Sequence, residues 1–282
     1  MKLDIESISR QITTNIKEGR QELPGLPDIA MRVREAIKRE DDIGKVSKII
    51  QSDIPLMARI IQIANSPLYR GVVPVEDCQK AISRLGIDVT KNLVTSFAVR
   101  RAFTGKGART RRYIEELWKH SVQVAAIAFI LARITPQLHP DHAMLAALVH
   151  DVGVLPLMQY FEEHPDLLDD EATTKEIISK LRIELGVMVL RHWRFDYDLI
   201  EVVGAAEDWL RDIDDTPDYG DVVLISQLHA AFGKPESTSM PSLDQVPAVA
   251  KFPVFKLGPD ASMELLTEAQ DEMKDLQKLL IS

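Results

Sequence analysis

Leu145-Ala146-Ala147-Leu148-Val149-His150-Asp151-Val152-Gly153 is the stretch on which the reading of this chain turns. Apolar residues run unbroken from Ala143 to Val149, within a helix read from His142 to His150; the run lacks the alternation of a half-buried strand. That helix ends on His150 and Asp151, which need polar partners if they are buried. A second apolar helix, Tyr113 to Ile134, carries His120 within Leu117-Trp118-Lys119-His120-Ser121. Imidazole nitrogen and carboxylate oxygen together are a ligand set for a hydrolytic divalent metal. Such a metal acidifies a bound water and clamps a phosphate oxygen. Three ligands begin a site without completing it. The same residues also suit a metal-free cluster, in which a histidine bonded to a carboxylate pins two helices together.

Outward from this centre, helical spacing dominates. Leu3, Ile5, Ile8, Ile12 and Ile16 predict an amphipathic helix within 1–22, broken by Leu23-Pro24-Gly25-Leu26-Pro27. A helix from Asp28 to Arg39 follows, then one opened by Val46, Ile49 and Ile50. Asp53-Ile54-Pro55 interrupts it, with Pro55 suited to a first turn. Leu56, Ile60, Ile61 and Ile63 continue to the stop at Asn65-Ser66-Pro67. Val75 to Leu85 is helical with Gly86 as its C-cap, and Val89 to Phe103 is the next helix. Thr104 to Arg112 reads as a polar hinge and subdomain boundary. Beyond the central pair, helices are expected at Lys175–Trp193, Asp198–Arg211 and Tyr219–Phe232. Gly233 to Asp260 reads as a surface-hugging linker, and Ala261 to Ile281 as one final amphipathic helix.

The expected fold is therefore all-α. Residues 23–232 form the main domain, with subdomains at about 23–104 and 113–232 packed on each other. A helix over 1–22, a linker over 233–260 and a docked helix over 261–282 complete the chain. Helices this apolar must bury their faces against one another.

The composition sets limits on function. The chain has 282 residues and a formal net charge of -9. An acidic chain gains no global attraction to nucleic acid or to an anionic membrane. Its one cysteine, Cys78, can form neither an internal disulfide nor a zinc ribbon and reads as a small buried hydrophobe. The N-terminus has no secretory h-region. The apolar stretch Val122–Ile134 is too short to span a bilayer and contains Arg133. A cytoplasmic location without membrane attachment is the expectation.

Several motifs together carry a family resemblance. The helix ending in His150-Asp151 resembles the HD superfamily of metal-dependent phosphohydrolases. The whole set is more similar to HDOD domains, the related output modules of bacterial signalling proteins. That set comprises Leu23-Pro24-Gly25-Leu26-Pro27, Ile50-Gln51-Ser52-Asp53-Ile54-Pro55-Leu56, Ile63-Ala64-Asn65-Ser66-Pro67-Leu68-Tyr69, Ala81-Ile82-Ser83-Arg84-Leu85-Gly86, Leu185-Gly186 and His192-Trp193. The resemblance runs from Leu23 to about Phe232 and implies a multi-helix HDOD architecture. For an active HD enzyme it also implies a His, a His-Asp pair and a distal Asp. His120, His150 and Asp151 match the first three, and Gln227 takes the place of the fourth. Val154 replaces a lysine common after Gly153. Arg182, and Glu207 or Asp208, stand where binuclear relatives have histidines. An arginine there repels a dication.

The resemblance thus implies a non-catalytic signalling module, with no catalytic residue, no cofactor and protein partners recruited in trans through its terminal helices. A metal-dependent phosphohydrolase acting on a nucleotide or cyclic dinucleotide is the first alternative. An anion or nucleotide sensor without turnover is the second. For the sensor, Arg100, Arg101, Lys106, Arg109, Arg111 and Arg112 form a basic stretch able to hold a small anion. His192 and His229 are candidates to supplement a metal site. His139, His142 and His164 are expected at the surface, and Trp118, Trp193 and Trp209 in the core.

Overall fold

The computed structural model describes residues 5–234, 240–257 and 260–281. Every regular element among them is helical. The order is α1 (Ile5–Lys17), α2 (Asp28–Lys38), α3 (Ile43–Gln51), α4 (Ile54–Ala64), α5 (Cys78–Leu85), α6 (Ile87–Ala102), α7 (Ala108–Arg133), α8 (Pro140–Val149), α9 (Val154–Glu163), α10 (Glu171–His192), α11 (Tyr197–Ala205), α12 (Tyr219–Ala231), α13 (Ala261–Glu268) and α14 (Gln270–Ile281). Local chemistry sets many of the boundaries. The side chains of Asp42, Asp53 and Asp77 accept a backbone N–H three residues on and start α3, α4 and α5. Each such cap contributes about 1 kcal/mol. Gly86, at φ +86°, ends α5 and opens α6, in a backbone region that favours glycine.

The long helix α7 is central, with α8, α12 and α14 all packed on it. Helix α8 is buried from Ala143 to Val149, so it presents no polar face. Helix α6 joins α8 to the N-terminal helices α2, α4 and α5, while α10, α11 and α12 pack in succession. A single apolar core runs through these elements. Pro140–Glu163 has the length and hydropathy of a membrane span, but 94% of its apolar window is buried inside the fold. Its apolarity is that of a core. Cys78 is buried, as expected.

Several boundaries differ from expectation. Helix α9 is an addition to the expected order; it is ten residues long and buried except at Gln159, Glu162 and Glu163. Helix α7 starts at Ala108, which cuts the hinge to residues 103–107. Helix α5 starts at Cys78 instead of Val75, because Asp77 caps it. Helix α11 stops at Ala205, and Arg211 folds back to pair with Asp218 and Asp221. The stretch read as a linker forms 3-10 turns at Leu243–Gln245, Pro247–Lys251 and Pro253–Leu257. These turn Val246, Ala248, Phe252 and Val254 into the core. The final helix is two helices broken at Ala269. Leu3, and residues 235–239 of the linker, lie outside the described residues.

Candidate functional site: a His-Asp cluster held by an arginine

Helix α7 presents His120, and the end of α8 presents His150 and Asp151. Their ligand atoms all lie within 4.8 Å of one another. The His150 Nδ1–H donates to the Ala147 carbonyl at 2.7 Å, which leaves Nε2 facing Asp151 Oδ2 at 3.1 Å. The two imidazole centroids are 5.5 Å apart. Burial, with His150 alongside, pushes the His120 pKa down to about 4, so this ring is neutral at neutral pH. Burial alone would raise the Asp151 carboxyl. His150, Arg182 and His120 more than offset it and hold the carboxyl well below the usual range.

A cation already sits at the cluster. The Arg182 guanidinium, on α10, pairs with Asp151 Oδ1 through Nη1 and with Glu207 Oε2 through Nη2. Its side chain is only 7% exposed. Gln227 is buried on α12, where its Nε2 donates to the Ala206 carbonyl. It thereby fixes the turn that delivers Glu207.

Two glycines allow this geometry. A Cβ on Gly153 would lie 1.8 Å from the Arg182 carbonyl oxygen and 2.5 Å from the Gly186 nitrogen. A Cβ on Gly186 would meet Val203 at 2.7 Å. The turn after Asp151 therefore rests directly on the backbone of α10, with α11 close behind.

These donors do not fit a hydrolytic dication centre. His150 Nε2 and Asp151 Oδ2 suit a cation, but the other carboxylate oxygen is held by Arg182. Two like unit charges about 4 Å apart repel by about 4 kcal/mol at an effective dielectric of about 20. Gln227 adds no charge to offset this. Two groups near the cluster were missed in the sequence. Tyr113 has its phenol pKa raised by burial and by Asp151. Lys234 bonds Gln123 Oε1 at 2.9 Å and lowers the His120 pKa through its charge. Tyr113 could have been found from its place on the His120 helix. Lys234 carried no signal.

The remaining histidines are distributed differently from expectation. His192 is exposed at the end of α10, and His229 is buried against Phe255; neither joins the cluster. His142 is not a surface residue. Its side chain is 14% exposed, bonds Asp198 at 2.8 Å and lies tilted against the Tyr219 ring, with centroids 4.4 Å apart. His164 is half-buried against Tyr160. His139 is exposed.

The basic stretch is dispersed by its own partners. Arg101 pairs with Asp53, Arg109 with Asp169 and Arg112 with Glu116. Arg100 donates to the Phe103 carbonyl, and Arg111 to the Lys106 carbonyl. The Lys106 backbone N–H donates to Glu162. The six residues do not converge on one anion.

An all-helical scaffold that brings a His from one helix against a His-Asp at the end of another defines an HD-type protein. The chain belongs to the HDOD domain family, whose model matches residues 23–209. It is similar over 98% of its length to 99% of a solved Shewanella amazonensis protein, with 27% identity and a TM-score of 0.79. That protein is described, provisionally, as a metal-dependent phosphohydrolase. A solved HDOD domain protein from Geobacter sulfurreducens has 21% identity and a TM-score of 0.67, with 98% of each chain covered. A Treponema pallidum protein is 20% identical over 167 residues, which are 57% of this chain and 31% of that protein. The match therefore spans about a third of that curated relative.

Proposed function

We propose that this chain is a non-catalytic bacterial signal-transduction module, acting through protein contacts on an HD scaffold. One observation carries the reading: the Arg182 guanidinium occupies Asp151 and Glu207, where a metal centre needs free carboxylate oxygens. The cluster then works as a fastening. It ties the end of α8 to α10 and to the turn after α11. Membership of the HDOD family supports a role in signalling. The partners are proteins recruited in trans. The apolar faces of the terminal helices are turned inward, with Ile8 and Ile12 of α1 and Leu276 and Leu280 of α14 all buried.

The convergence of His120, His150 and Asp151 favours a second reading, a metal-dependent phosphohydrolase of nucleotides or cyclic dinucleotides. Metal analysis separates the two. The protein is dialysed against manganese, iron or zinc, and bound metal is measured for the native chain, Asp151→Ala and Arg182→Ala. The first reading expects no stoichiometric metal on the native chain and a gain in Arg182→Ala. Stoichiometric metal on the native chain, lost in Asp151→Ala, would overturn it and direct a phosphodiester screen.

A further inference from the structure

The apolar faces of α1 and α14 are turned into the core, so a partner has to be met elsewhere on the molecule. The connection from α11 to α12, residues 206–218, offers a place. On it Leu210 is 73% exposed and Ile213 is 76% exposed. Trp209, next to Leu210 in the chain, is half-buried and packs against the core. A lone exposed aliphatic residue is ordinary. Two of them three residues apart, on a connection held in place, make a pair of anchors.

The connection is pinned at both ends. Gln227 donates to the Ala206 carbonyl, and Arg182 pairs with Glu207. The Asp208 N–H donates to the Ala205 carbonyl at 3.1 Å, and the Arg211 N–H to the Asp208 carbonyl at 3.0 Å. The Arg211 side chain, 5% exposed, turns inward. It meets Asp218 at 2.6 and 2.8 Å and Asp221 at 2.5 Å, and Asp218 caps α12. Arg211 is the one basic residue between Asp208 and Asp215, and the fold takes it inside. Asp208, Asp212, Asp214 and Asp215 stay exposed. Among the described residues none of these four has a cationic partner.

Aliphatic anchors set among uncompensated carboxylates select a partner by charge. An anionic bilayer or a nucleic-acid backbone is repelled. A basic protein segment is attracted, and its long lysine or arginine stems can lie along aliphatic side chains while their heads reach the carboxylates. Because the connection is already held, docking orders little further backbone. Building on the reading of this chain as a module that works through protein contacts, we propose that the connection from α11 to α12 docks a basic amphipathic helix of a partner protein. The apolar stripe of that helix packs on Leu210 and Ile213, and its lysines or arginines pair with Asp212, Asp214 and Asp215. Glu207, on the same connection, puts this surface one ion pair away from the Arg182 cluster.

The probe is a labelled synthetic helical peptide of leucine and lysine, with leucines at i, i+3, i+4 and i+7. A scrambled peptide of the same composition is its control. Fluorescence anisotropy with the full chain should show the amphipathic peptide binding about tenfold tighter than the scrambled one, and weakening as salt rises. Leu210→Ser with Ile213→Ser should weaken binding about tenfold or more. Asp212→Asn, Asp214→Asn and Asp215→Asn together should do the same and flatten the salt dependence. Every replaced side chain is exposed, so both variants should keep the helical circular dichroism. Val72→Ser with Val73→Ser, which replaces the exposed valines after α4, should leave binding unchanged. Equal binding of the scrambled peptide, or unchanged binding by a folded Leu210→Ser, Ile213→Ser chain, would overturn the proposal. Stoichiometric metal with intact peptide binding would overturn the non-catalytic reading and keep the docking surface. A metal-free chain that ignores the peptide would overturn the docking surface alone.

Discussion

His229 lies buried on α12, its ring parallel to Phe255 with centroids 6.1 Å apart. Nε2 has no hydrogen-bond partner. Burial alone pushes its pKa down to about 4, against about 6.5 in an unfolded chain. Between those values the unfolded chain binds more protons, so stability falls as pH falls. The contribution is about 2 kcal/mol at pH 5. Urea denaturation of the native chain should show this loss between pH 7.5 and pH 5. His229→Leu should lose about 2 kcal/mol less over the same interval; an equal loss would mean that the ring is protonated in the folded state. Single residues were legible in the sequence to different degrees. His120, His150 and Asp151 could be found because His-Asp at a helix end is a local pattern. The resemblance also put Arg182 and Glu207 or Asp208 at the same centre, but it did not show the pairing of Arg182 with Asp151 and Glu207, which only packing sets. The surface reading of His142 failed for the same reason. Nearby Pro140 and Asp141 suggested exposure, while Asp198 and Tyr219 arrive from α11 and α12.

At the scale of elements, the site depends on how closely α9 approaches α10. The turn ending at Gly153 has ordinary φ of -65°, so the glycine is needed for space and not for backbone freedom. Gly153→Ala places a methyl group into the Arg182 carbonyl, and backbone at both sides resists a shift. Overpacking typically costs about 1–3 kcal/mol, and a backbone obstacle belongs at or above the upper end. The variant should lose about 3 kcal/mol or more in denaturant unfolding. Gly204→Ala, whose Cβ meets nothing within 4 Å, serves as the control and should be close to neutral. Near-native stability of Gly153→Ala would show that α9 and α10 can part without cost. Element order was largely readable, because α2, α3 and α4 each have an apolar stripe and a polar or proline boundary. Helix α9 and the turns at 243–257 were not. The turns bury residues over too few positions for a period to show, and α9, only ten residues long with its polar positions confined to Gln159, Glu162 and Glu163, merges with the apolar run before it.

The core of the whole molecule extends beyond the family match. That match ends at residue 209, but the apolar core continues through α12, the 3-10 turns and α14. Phe252 is fully buried, and Leu276 and Leu280 are buried. Polar anchoring runs in parallel. Asp221, 1% exposed in its side chain, pairs with Arg211 at 2.5 Å and with Lys251 at 3.2 Å. The segment after α12 thus supplies part of the charge that permits Asp221 to be buried. Removing it does two things at once. It uncovers the surfaces of α7 and α12 that Phe252 and α14 cover, and it leaves Asp221 with one cation fewer. Losing a large buried aromatic side chain alone costs about 3–5 kcal/mol, a sizeable part of the roughly 5–15 kcal/mol that holds a domain folded. Calorimetry should therefore show one cooperative transition for the full chain. A chain ending at residue 232 should unfold at a markedly lower temperature, with a broadened transition and a strong tendency to aggregate. Equal midpoints and equal sharpness would mean that the region after α12 is an appendage on a domain that is complete without it.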